Sequence, residues 1–169
     1  CVTGVVAICP VNVLTGSDES AAESVDALAA ARAIAELKVQ PRPVSLAYEA
    51  SPVMDIILGA AKEGASLYAV TDPAGITHRV WEVKREDAVA AIRAMLDQAP
   101  SPVFAGDSAY AAALAGASQL LADDVRAAGT YTGKEPFNFA VAVLFPAAQV
   151  SGAAPQVPTG LLTHQVARF

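Results

Sequence analysis

The chain has 169 residues, 54% hydrophobic and 17% charged, a balance that fits one domain with a sizeable core and excludes intrinsic disorder. Its formal net charge of −6 and scattered basic residues, with Lys84-Arg85 the one adjacent pair, argue against a nucleic-acid surface, which needs clustered Lys and Arg. No apolar run reaches the length of a membrane span and no signal-peptide pattern opens the chain, so a cytoplasmic protein with no membrane partner is expected.

Val2 to Leu14 is rich in valine and isoleucine, interrupted by Gly4 and Pro10, and reads as one or two short strands. Cys1 and Cys9 have no metal-ligand company and read as buried or free thiols in a reducing compartment. The missing initiator Met points to a trimmed or fragmentary chain. Ser17-Asp18-Glu19-Ser20 supplies caps and first-turn acids for an alanine-rich helix from about Ala21 to Lys38. Leu28, Ala31, Ala35 and Leu37 are its candidate buried residues. Pro41-Arg42-Pro43 cannot continue that helix, and the chain restarts as a strand over Val44 to Tyr48.

A shorter helix is predicted from about Val53 to Lys62, stopped by Gly64. Ser66 to Thr71 and Ile76 to Lys84 are β-rich runs joined by Asp72-Pro73-Ala74-Gly75. Asp first, Pro second and Gly fourth suit a type I turn followed by a left-handed residue, so this is a hairpin. Alternation places Ile76, His78, Val80 and Glu82 on one face and Thr77, Arg79, Trp81 and Val83 on the other. Lys84-Arg85-Glu86-Asp87 is a solvated corner leading into an amphipathic helix, Glu86 to Gln98, with Val89, Ile92 and Leu96 on one stripe. Val103-Phe104-Ala105 is a short buried strand. A long alanine helix follows from about Asp107 to Ala128, closed by Gly129, and then an apolar strand from Phe137 to Phe145. One domain over 1–150, with an irregular tail over 151–169, accounts for the whole chain. The fold class is α/β of the α+β kind: a mixed sheet with one hairpin, about 66–84, packed with alanine-rich helices.

The strand–turn–helix at Gly106-Asp107-Ser108 is the best candidate site. Glycine permits a sharp turn, and the helix start that follows offers free amides to an anion. The competing role for Asp107 or Ser108 is a simple helix cap, which the local pattern favours. Val103 to Ser108 is also similar to the first block of the SGNH, or GDSL, hydrolases, in which the Ser is the nucleophile. Those enzymes need an Asp-x-x-His pair and oxyanion donors. Here Leu161 stands three residues before His164, and the asparagines, Asn12 and Asn138, fall outside the expected block. His78 is a candidate site residue whose competing role is a hydrogen-bonded sheet histidine. Trp81 reads as a packing residue. Thr130-Tyr131-Thr132-Gly133-Lys134 reads as an ordinary loop, since no helix follows it as in a Walker motif.

A resemblance covering about residues 40 to 150 ties these segments together. Asp72-Pro73-Ala74-Gly75-Ile76-Thr77-His78-Arg79-Val80-Trp81-Glu82-Val83 resembles the D-x-x-G-x-x-H-x-L-W-x-V hairpin of a bacterial family, domain of unknown function 1015. Pro136-Phe137-Asn138-Phe139 and Leu144-Phe145-Pro146 resemble its P-[FY]-N-[YF] strand and LFP ending, and Val44 to Tyr48 its preceding strand. The family's Asp-Gly-His-His-Arg turn is similar to that of the ParB and sulfiredoxin-like fold. That resemblance implies a phosphate or nucleotide site at a helix start, with ATP or ADP and Mg²⁺ as the cofactors of an active member.

In this chain Gly106 is the retained motif position. Ala105 replaces the Asp, Asp107 and Ser108 the two His, and Ala109 the Arg. The expectation is a divergent, shortened, non-catalytic member acting as a binding or structural subunit, with no metal site, beside a protein partner or in a homo-oligomer. The alternative is a metal-assisted phosphotransfer enzyme acting on a small phosphorylated metabolite or free amino acid through Asp107 and His78 with a divalent metal; Ser108 is the further catalytic candidate, as nucleophile of the hydrolase reading. In either case Gly106, Asp107 and Ser108 form the candidate cofactor-binding turn, and an SGNH-type hydrolase ranks last.

Overall fold

The computed structural model describes residues 2–14, 25–98, 103–104 and 108–149, with the backbone alone at 98, 103, 104 and 149. In chain order the strands and helices are β1 (Val5–Pro10), α1 (Val25–Leu37), β2 (Val44–Tyr48), α2 (Pro52–Glu63), β3 (Tyr68–Thr71), β4 (Thr77–Val80), α3 (Glu86–Gln98), β5 (Val103–Phe104), α4 (Ser108–Ala127) and β6 (Phe139–Pro146). The fold is α+β. Contacts divide it into two compact units, Cys1–Tyr48 with Ser101–Phe169, and Glu49–Pro100.

The first unit holds a four-stranded mixed sheet of order β1-β6-β2-β5. β6 lies between an antiparallel partner, β1, and a parallel one, β2, and β5 pairs antiparallel with β2. The central position of β6 explains its sequence, FAVAVLFP, which is buried from Ala140 to Pro146. A strand covered on both faces reads as a continuous apolar run. Register puts Val44 opposite Ala142 and Leu46 opposite Leu144, and these four are almost fully enclosed. Burying a valine or leucine of this kind contributes about 1.5–3 kcal/mol. Gly4, just before β1, is shaped by the same packing: a Cβ there would fall 2.7 Å from the Phe145 ring and 2.9 Å from Val143.

Of the one or two strands read over Val2 to Leu14, one forms, β1, and it is followed by a single 3-10 turn, Val11–Leu14. Pro10 ends β1 because it has no N–H to donate to a ladder, and Val11 and Leu14 turn into the core.

α1 and α4 pack closely, and Gly116 lets them do so. A Cβ at Gly116 would meet the Ala31 Cβ at 3.1 Å. The residues of α1 that enter are Ala27, Ala31 and Ile34, at helical i, i+4, i+7 spacing. This corrects the expected stripe: Ala31 belongs to it and Ala35 is half-buried, but Leu28 and Leu37 are 51% and 72% exposed. The seam is closest at Ala31, opposite Gly116, where alanine fits and leucine would not; Ile34 is buried beside it, while Leu28 and Leu37 lie off that face. α4 ends in a Schellman arrangement. Gly129 adopts φ +72, its N–H reaches Arg126 O at 2.9 Å, and Thr130 N–H reaches Val125 O at 3.1 Å. Among the described residues no helix is long and apolar enough to cross a membrane.

In the unit of residues 49–100, Pro52 occupies the first turn of α2, where its missing N–H costs nothing. Gly64 ends the helix in extended rather than left-handed backbone. The hairpin forms with the predicted turn: Gly75 takes φ +80, and its N–H bonds Asp72 O at 3.0 Å. Its second strand is shorter than expected, ending at Val80 rather than Lys84. The partner strand runs out first, since Leu67 N–H to Val80 O closes the ladder. Of the predicted α3 stripe, Ile92 is buried and Leu96 half-buried, while Val89 is exposed.

Among the described residues of the first unit, Gln40 is a polar side chain with no exposed surface. Its Oε1 accepts from Val141 N–H at 2.8 Å and its Nε2 donates to Val141 O at 2.9 Å. A carboxamide has the donor and acceptor of a peptide unit, so Gln40 continues the pairing of β6 ahead of β2. Replacing it by Met, of similar size, strands two buried backbone groups, each worth about 1–3 kcal/mol. Gln40→Met is therefore expected to lower unfolding stability by on the order of 3 kcal/mol in a urea titration, and an unchanged midpoint would contradict the pairing.

Candidate functional site

The predicted turn lies between β5, which ends at Phe104, and α4, which begins at Ser108. Ala105, Gly106 and Asp107 lie outside the described residues, so the Asp107 carboxylate does not enter the geometry. Ser108 is the first residue of α4 and is half-buried, and Ala109, which the resemblance sets at the place of an Arg, is exposed. Tyr110 completes the first turn and is buried.

Tyr110 is held by the segment before β2. Its hydroxyl donates to Arg42 O and accepts from Arg42 N–H at 3.2 Å. The Arg42 guanidinium lies 3.9 Å from the centre of the Tyr110 ring, a cation–π contact. Gln40 Nε2 also donates to Arg42 O at 2.9 Å. A cation is thus brought to the first turn of α4 by residue 42 rather than residue 109. Sequence reasoning missed Gln40, Arg42 and Tyr110 as a group, because no local spacing connects position 40 or 42 with position 110.

His78 belongs to the other unit and lies on the hairpin. Its Nε2 is 3.1 Å from Asp72 Oδ2, and Asp72 Oδ1 accepts from Ile76 N–H at 2.9 Å. One carboxylate therefore closes the turn with one oxygen and holds the imidazole with the other. The bond to His78, followed by that from Ile76, keeps the Asp72 carboxyl below its ordinary range. On the opposite face, the Thr71 and Thr77 hydroxyls meet at 3.0 Å across the ladder. The D-x-x-G-x-x-H spacing has a physical content here: turn closure, a left-handed glycine, and an imidazole diagonal to the carboxylate. Trp81 follows β4 and is half-buried.

The Pro-Phe-Asn segment has similar structural employment. Pro136 opens a 3-10 turn, Pro136–Asn138, and Phe137 packs with Leu121 and Ala122. Asn138 Nδ2 donates to Glu135 Oε2 at 3.2 Å. The other Glu135 oxygen accepts from Thr132 N–H and from its hydroxyl, the latter at 2.8 Å. The loop over 130–135 is thereby cross-braced around one carboxylate, with the Arg126 guanidinium 4.4 Å from the centre of the Tyr131 ring. At the predicted 84–87 corner Arg85 pairs with Asp87. Among the described residues no group of three His, Cys, Asp or Glu could hold a metal ion. Leu161 and His164 lie outside the described residues. Cys9 is a free thiol whose burial pushes it up to about 11.

Residues 29–151, well over half of the chain, match the family model described as protein of unknown function (DUF1015). No curated protein and no solved structure matches the chain.

The Asp72 clasp fixes the sign of a pH effect. With its folded value depressed, its contribution is complete above the unfolded carboxylate value of about 4 and is lost as pH falls through the lower folded value. Asp72→Asn should therefore lose less stability than the parent chain between about pH 5 and pH 2, followed as urea midpoints. Equal slopes for the two proteins would contradict the clasp. For Cys9, a value of about 11 leaves on the order of one thiolate in a thousand at pH 8. In a Cys1→Ser background, native protein should react with a disulfide reagent far more slowly than urea-unfolded protein. Equal rates would show that the thiol is not shielded.

Proposed function

We propose, from the premise that this chain belongs to the DUF1015 family, that it is a binding or structural member whose phosphate-binding turn has lost its chemistry. The observation that carries this reading is the state of the first turn of α4. Ala109 presents a methyl group where the family motif has Arg, and both the hydroxyl and the ring face of Tyr110 are engaged by Arg42. Phosphoryl transfer depends on positive charge and donors aimed at the transferring group, and an exposed alanine supplies neither.

The likeness of the family turn to the ParB and sulfiredoxin-like fold belongs to the same proposal, as does a reducing, cytoplasmic setting. The chain would act beside a protein partner or as an assembly of its own copies. A metal-assisted phosphotransfer enzyme using Asp107 and His78 is disfavoured by the same exposed Ala109, which offers no charge to a transferring phosphoryl group. A hydrolase built on Ser108 is disfavoured by the residue at the acid position of its Asp-x-x-His pair, which is Leu161.

Thermal unfolding in the presence of ATP or ADP, each with Mg²⁺, tests the reading. A ligand specific for the native state raises the midpoint. No rise is expected with either nucleotide, and a rise of several degrees would overturn the proposal.

A further inference from the structure

We draw no further inference here: the strongest candidate, the exposed apolar patch of Val2, Val6 and Ile8 on and beside the edge strand β1, carries nothing because no contact in the structure shows what covers it.

Discussion

One side-chain amide links the sheet of the first unit to the start of its longest helix. Gln40 exchanges two hydrogen bonds with Val141 on the central strand and gives a third to Arg42 O. The same Arg42 backbone then binds the Tyr110 hydroxyl on α4. β1 and β2 flank β6 on opposite sides, and the pairing of β2 with β6 begins at Val44 and Ala142, which leaves the Val141 backbone groups to Gln40 rather than to a residue of β2. An apolar residue at position 40 would fill the space but strand those groups. A carboxylate could accept from Val141 N–H yet could not donate to its carbonyl. Only a side chain with both functions meets the requirement, and it must be fully buried to do so.

The same economy governs the segments that resemble family motifs. Asp72, His78, Asn138 and Glu135 are residue types associated with catalysis or ligand binding, yet each has a bond that holds a turn or loop in place. Phe137 is core. A motif that fixes turn geometry is as demanding of residue type as one that performs chemistry, since an Asp-to-Ile N–H bond and a left-handed glycine admit few substitutes. Family membership can therefore rest on residues that build the scaffold, as the hairpin and the Pro-Phe-Asn segment do in this chain.

What the sequence revealed follows from the range of the forces involved. The hairpin turn at Asp72 to Gly75 and the stop at Gly129 were legible because both depend on neighbours within a few residues. The apolar strand that became β6 was legible from its uninterrupted hydrophobicity. The buried face of α1 was not, because alanine is common on more than one side and marks no stripe; packing distance from Gly116 decided it. The early end of β4 depended on where its partner stopped. Gln40 and the Arg42–Tyr110 contact were invisible, since the first joins residues 101 positions apart and the second residues 68 positions apart. Of the candidate site, Ser108 and Ala109 fall at the helix start as expected, whereas Gly106 and Asp107 lie outside what is described.

Tyr110 at the start of α4 is engaged by Arg42, and the proposed function requires that this helix start receive no nucleotide. Amide chemical shifts of ¹⁵N-labelled protein, followed through a titration with ATP and Mg²⁺, address it residue by residue. The account predicts that the signals of Ser108, Ala109 and Tyr110 stay where they are while nucleotide is added. Saturable movement of those signals, with Arg42 moving in step, would contradict it.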